Sequence, residues 1–209
     1  MDSNHRVPAQ AGWCAQQAEA QAGADVVNRR RVLRVSAGLG LALTLPGWAA
    51  AACPAFLDHD LQKLHSSDKV NLCKAFAGRP LLIVNTASHC GFTPQFKGLE
   101  ALHRRYATRG LAVVGFASDD FNQEANTEAK AAEVCFVNFG VTFTMLSPSH
   151  VKGAQANPVF RELKARAGAP QWNFNKYLVS ADAASVQRFG SSVAPESGQL
   201  QVAIETLLK

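Results

Sequence analysis

Cys90 stands in Ser88-His89-Cys90-Gly91-Phe92, between the apolar run Leu81-Leu82-Ile83-Val84-Asn85-Thr86-Ala87 and the pair Thr93-Pro94. An apolar run of that length reads as a strand buried on both faces. Thr93-Pro94 reads as a helix start, with Thr as N-cap and Pro as the first helical residue. A cysteine at such a corner meets the free N–H groups and positive dipole end of the helix, which favour a thiolate. A thiolate attacks the O–O bond of a peroxide, becomes a sulfenic acid and releases water or an alcohol. Thr93 occupies the place where a Cys-x-x-Cys motif has its second thiol, so peroxide reduction suits this corner better than disulfide exchange. Gly91 and the polar flanks predict an exposed thiol rather than a packed one. His89 is read as a solvent-facing neighbour, not as a general base.

The elements that must position this corner follow from apolar periodicity. Phe96, Leu99, Leu102 and Tyr106 fall on one helical face, and Gly110 ends that helix. Residues 111–116 form a second buried strand, 125–139 read as helical, and 142–146 and 177–180 read as strands. Residues 186–189 pair with the last of these. Pro195 opens a final helix whose stripe is Leu200, Ala203, Ile204, Leu207 and Leu208. The order predicts one α/β sandwich over 53–209, with no internal repeat.

Four motifs, in unbroken order along 53–209, carry a more specific resemblance. They are Asn85-Thr86-Ala87-Ser88-His89-Cys90-Gly91-Phe92-Thr93-Pro94-Gln95-Phe96, Gly115-Phe116-Ala117-Ser118, Gln123-Glu124 and Trp172-Asn173-Phe174-Asn175-Lys176-Tyr177. Together they resemble the glutathione peroxidase family, most of all its bacterial cysteine-type branch. The resemblance implies a thioredoxin-like fold: an α/β three-layer sandwich with a central mixed sheet flanked by helices. It implies a thiol-dependent peroxidase that reduces hydrogen peroxide and organic hydroperoxides, with a thioredoxin-like protein or glutathione as reductant. The catalytic set it implies is Cys90, Gln123, Trp172 and Asn173. Their chemistry is coherent, because two amides and an indole N–H are neutral donors able to hold a thiolate and the leaving oxygen.

The resemblance also places Cys135 where cysteine-type relatives often have a second, resolving thiol. Such a thiol condenses with the sulfenic acid, and a dithiol protein then reduces the disulfide. A packed helical cysteine among Val134, Phe136 and Val137 is the other reading. The chain departs from the family pattern in its central loop. Phe121-Asn122-Gln123 has one residue where two are usual, Asp119-Asp120 stands where Asn-Gln is common, and Ala117 and Thr144 replace frequent prolines. Cysteine in place of selenocysteine implies slower chemistry. With no ring of basic residues near the motifs, glutathione is less favoured than a protein dithiol. A redox sensor that uses Cys90 oxidation as its signal is the alternative. A copper-delivery protein would need two spaced cysteines and a His, and no other cysteine lies within four residues of Cys90.

Cys53 and Cys73 either pair, as an oxidising compartment allows, or Cys73 simply packs. With no Cys-x-x-Cys, and His59, His65, His89, His103 and His150 scattered, neither a metal site nor a cofactor is predicted. Asn28-Arg29-Arg30-Arg31-Val32-Leu33-Arg34, an uncharged stretch and Ala49-Ala50-Ala51-Ala52 have the layout of a cleaved export signal of twin-arginine type. Residues 1–52 are therefore a leader, holding Cys14, and the domain is expected in a bacterial periplasm. The apolar centre is short for a span of about 20 residues, so no membrane span is expected after cleavage. Residues 1–27, Gln/Ala-rich and without periodicity, are a long n-region or lie upstream of the true start. The chain has 209 residues, 47% of them hydrophobic, and a net charge of +5. Five arginines against three acids in 1–52 supply part of that excess, and the remainder is too weak for nucleic acid.

Overall fold

Two apolar runs, each too short for a helix and too continuous for a surface strand, lie side by side as the centre of a parallel pair. These are β3 (Leu81–Thr86) and β4 (Ala112–Ala117), in register from Leu81 opposite Ala112 to Thr86 opposite Ala117, and every residue of both is buried. The computed structural model describes residues 53–209; the leader, with its export signal and Cys14, lies outside the described residues.

Before this pair come β1 (Asp60–Gln62), β2 (Lys69–Asn71) and the single turn α1 (Leu72–Ala75). After β3 comes α2 (Gln95–Tyr106), and after β4 comes α3 (Glu128–Ala132), continued by a π-helical turn at Glu133–Asn138. Next are β5 (Thr144–Leu146), α4 (Pro158–Ala167), β6 (Lys176–Val179), β7 (Val186–Phe189) and α5 (Gly198–Leu207). The main sheet has the order β5-β4-β3-β6-β7, with β3, β4 and β5 parallel and β6 and β7 antiparallel. Alternation along the strands divides the core in two. Leu82, Val84, Val113 and Leu178 pack with Phe96, Leu99, Leu200 and Ile204 of α2 and α5. Ile83, Val114, Phe116 and Tyr177 pack with Val159, Phe160 and Leu163 of α4. The result is the expected three-layer sandwich around a mixed sheet. Gly115 has a packing reason, since a Cβ there would run into Met145 Sδ of β5.

Three features differ from expectation. The hairpin β1–β2 and helix α4 were not foreseen, although Asn157-Pro158 is a helix-start pair and Asn157 Oδ1 accepts from Phe160 N at 3.0 Å. The 125–139 helix is shorter and of another kind. Ala125 N is held outside it by the Glu124 carboxylate at 2.8 Å, and Thr127 caps Lys130 N at 3.3 Å. Beyond Ala132 the β-branched and aromatic residues of Val134-Cys135-Phe136-Val137 are poorer helix formers, and the backbone widens to π pairing, with Phe139 N bonded to Val134 O at 3.2 Å. Cys135 is buried in that turn, while Phe136 and Val137 face solvent. Finally, α5 begins at Gly198, capped by Ser197, and not at Pro195.

Cys53 and Cys73 are joined as a disulfide with Cα atoms 5.9 Å apart, tying the start of the described chain to α1. A crosslink closing a loop of this size, 20 residues apart in sequence, stabilises by about 3 kcal/mol through the unfolded state. Cys73→Ser should lower the unfolding free energy by about that amount in denaturant titration, and reductant should lower the wild type equally while leaving the variant unchanged.

Candidate active site

The chain leaves β3 at Thr86 and turns sharply before α2. Thr93 holds the turn: its hydroxyl donates to Ala87 O at 2.9 Å and accepts from Cys90 N at 3.0 Å, while Thr93 N donates to Cys90 O at 2.9 Å. Thr93 is thus not the cap of α2, which begins at Gln95; its side chain bonds backwards to close the cysteine loop. That closure folds Cys90 inward. The residue is only 6% exposed and packs in the same core cluster as Ala87, Phe96 and Cys135, against the expectation of an exposed thiol. Phe92 N donates to Cys90 Sγ at 3.4 Å, a backbone donor at the sulfur. His89 is exposed, as expected.

The loop after β4 is stitched to this corner. His89 N donates to Gln123 O at 2.8 Å, and Ser88 gives both its backbone N–H (3.1 Å) and its hydroxyl to Glu124 Oε1. Burial pushes the Glu124 carboxyl up, outweighing the hydrogen bonds from Ser88 and Ala125 that favour its anion. Glu124 belongs to the Gln123-Glu124 motif, but its sequence position alone gives no sign of this contact with Ser88. The shortened loop is closed by its own acid: Asp119 O accepts from Asn122 N at 2.8 Å and Asp119 Oδ1 from Glu124 N at 3.0 Å. Asn122 sits at φ +54°, a left-handed conformation that Asn tolerates better than most residues. Beyond that turn Gln123 Oε1 accepts from Asn173 Nδ2 at 3.0 Å.

The third strip is the corner before β6. Asn85, fully buried on β3, donates from Nδ2 to Trp172 O at 3.0 Å, accepts from Asn175 N at 3.1 Å and accepts at its carbonyl from Phe174 N at 2.7 Å. Phe174 is held at φ +60°, a strained state for a non-glycine residue, and its ring packs edge-on to Phe96 at 5.3 Å. Ser191 Oγ donates to Asn173 O at 2.6 Å and accepts from Asn175 Nδ2 at 3.0 Å. Lys176, buried, donates to Ser191 O and Val193 O at 3.3 and 2.7 Å, and burial pulls its pKa down to about 8. Asn173 is fully buried with Oδ1 unpartnered, whereas Trp172 is 41% exposed and leans on Phe121 at 5.3 Å.

Gln123 and Asn173 are thus in direct contact, Trp172 adjoins Asn173, and the Gln123 backbone bonds beside Cys90. Cys135 shares the core cluster of Cys90, its thiol pushed up to about 12 by burial, with the Glu124 charge adding to the effect. A cleft of about 300 Å³, lined by Phe92, Trp172, Asn175, Arg188 and Ser191, opens beside the corner. Among the described residues no group of His, Cys, Asp or Glu is placed to hold a metal ion. A thiol can attack a polarisable bond, and neutral amide and indole donors on the neighbouring loops suit stabilisation of an oxygen that leaves.

The family model for glutathione peroxidase matches residues 58–164. The glutathione peroxidase of Lactococcus lactis subsp. cremoris (strain MG1363) is 40% identical over 133 residues, covering 61% of this chain and 85% of that protein. The hydroperoxy fatty acid reductase gpx1 of Synechocystis sp. (strain ATCC 27184 / PCC 6803 / Kazusa) is 40% identical over 145 residues, covering 64% and 85%. The apo crystal structure of Trgpx superposes with a TM-score of 0.58 at 27% identity, over 74% of this chain and 96% of that one. With a family match over half its length and relatives of 40% identity covered to 85% of theirs, the chain belongs to the glutathione peroxidase family and is a peroxidase.

Proposed function

We propose that Cys90 is the peroxidatic thiol of this enzyme and that Gln123, Trp172 and Asn173 are its donors. The observation that carries the reading is the Asn173–Gln123 hydrogen bond, made by a loop whose backbone also bonds to His89, next to the sulfur. The Cys90 thiolate attacks the outer oxygen of a hydroperoxide, the O–O bond breaks, and the departing alkoxide or hydroxide takes a proton to leave as alcohol or water. Cys90 becomes the sulfenic acid. The substrates are hydrogen peroxide and organic hydroperoxides, and the cleft beside Trp172 gives an organic group somewhere to lie.

Cys135 then attacks the sulfenic sulfur, forming a Cys90–Cys135 disulfide and releasing water. A dithiol protein reduces that disulfide and is itself oxidised. A bridge needs Cα atoms within about 7 Å, and Cys135, as a buried neutral thiol, is a poor nucleophile where it lies. Opening of the π turn answers both needs, since it frees Cys135 to move and returns its thiol to water, where it ionises more readily. A π turn is a rarely favoured backbone state, and the exposed Phe136 and Val137 give it little to lose on opening. A thioredoxin-like protein suits the site better than glutathione. Arg188, which lines the cleft, is engaged with Ala169 O at 2.7 Å, and the Lys176 ammonium is held by two carbonyls. We also propose that residues 1–52 direct export to the periplasm. The Cys53–Cys73 disulfide supports this, because such bonds persist in oxidising compartments.

Cys90→Ser should abolish peroxide consumption with the fold retained, since a hydroxyl does not ionise near neutral pH. Cys135→Ser should keep one stoichiometric reaction per chain and lose turnover with thioredoxin; full turnover in that variant would remove Cys135 from the cycle. In the reduced protein at pH 8, iodoacetamide should label Cys135 far more slowly than it does in denaturant, as peptide mass mapping reads it. For export, replacing Arg29 and Arg30 by Lys should trap precursor, and periplasmic protein should begin near Ala52 or Cys53. Full-length protein accumulating soluble in the cytoplasm would count against export.

A further inference from the structure

Asp120 lies on the loop that follows β4. Its side chain is nearly buried and accepts from three donors on one distant segment. Asp120 Oδ1 meets His150 Nδ1 at 2.6 Å, and Oδ2 accepts from Val151 N at 2.6 Å and Lys152 N at 2.9 Å. Burial opposes its charge, yet the bonds from His150, Val151 and Lys152 outweigh burial and hold the carboxyl below its ordinary range. The segment it grips is itself anchored. Ser149 N donates to Ala117 O at the end of β4, and Asn157, the cap of α4, donates to Ser149 Oγ and His150 O at 3.1 Å each.

The consequence lies one residue along. Lys152 Nζ sits 4.2 Å from the centre of the Phe121 ring, and the Phe121 ring lies 5.3 Å from that of Trp172. Trp172 is the most exposed member of the proposed donor set, and Phe121 is its aromatic support.

We propose that Asp120 is a positioning residue for the peroxidase reaction: its carboxylate straps the short loop to the 150–152 segment and, through Phe121 clamped beside Lys152, sets the Trp172 indole. This rests on the reading of Trp172 as a donor at Cys90. Both carboxylate oxygens are engaged, Oδ1 with His150 and Oδ2 with the two backbone N–H groups. Asp120→Ala removes both and leaves the three groups without their partner.

The test is a double-mutant cycle in the full-length chain, Asp120→Ala against Trp172→Phe, read as the single-turnover rate of Cys90 thiol loss with hydrogen peroxide. Trp172 emission, taken as the difference from the Trp172→Phe spectrum, is the second readout. Asp120→Ala should slow the parent about tenfold, the scale of a small misplacement, and should slow the Trp172→Phe background less than twofold. It should also shift Trp172 emission. Phe121→Leu, which leaves the strap intact, should produce the same coupled loss and guards against a folding defect at Asp120. Equal slowing by Asp120→Ala in both backgrounds, or no slowing in either, with Trp172→Phe itself slow, overturns this proposal and leaves the donor set standing. A Trp172→Phe variant as fast as wild type, with Cys90→Ser inactive, overturns the reading of Trp172 and the proposal with it.

Discussion

Asn85 is a fully buried amide in the middle of an apolar strand, and the candidate site depends on what it bonds. A polar group taken out of water in that setting costs free energy unless every valence finds a partner. Asn85 finds Trp172 O, Asn175 N and Phe174 N, all on the corner that carries two of the four proposed site residues. The strand that delivers Cys90 and the corner that delivers Trp172 and Asn173 are therefore one unit. The positive φ of Phe174 is tolerated because those bonds, with Ser191 and the Phe96 contact, over-determine the backbone there.

Around that unit the loop between β4 and α3 is placed by carboxylates. Glu124 binds the Cys90 corner through Ser88, Asp119 closes the turn on itself, and Asp120 reaches out to the 150–152 segment. Each acid accepts backbone N–H groups that a loop cannot otherwise satisfy. A carboxylate offers two oxygens and no donor, so it fits positions surrounded by N–H groups better than an amide does. Farther out, Glu100 on α2 accepts from Thr142 N at 2.8 Å and pins the chain just beyond the π turn. The turn is thus bounded by fixed points at Thr127 and Thr142.

Apolar periodicity was enough to find β3, β4, the stripe of α2, the β6–β7 pair and α5, because burial on two faces or on one stripe leaves a direct imprint on residue order. The catalytic candidates were readable from motif order, and their contacts were not. Gln123 and Asn173 meet across 50 residues, and Asp120 and His150 across 30. The burial of Cys90 depends on which way the Thr93 hydroxyl turns, a choice that Thr-Pro alone leaves open. The π turn was hidden for a similar reason, since α and π pairing differ by one residue in hydrogen-bond register and share the same composition. Helix α4 did carry its mark in Asn157-Pro158, and β1 and β2, three residues each, are too short for alternation to register.

On the proposed cycle the π turn sets a race as well as a hinge. With Cys90 as the peroxidatic thiol and Cys135 as the resolving one, the sulfenic acid has two fates: attack by Cys135, or a second peroxide that carries it irreversibly to the sulfinic acid. The first is a unimolecular step whose rate cannot exceed that of opening 133–138, and the second grows with peroxide concentration. The opening rate of that one turn therefore fixes an upper concentration of oxidant beyond which the enzyme consumes itself.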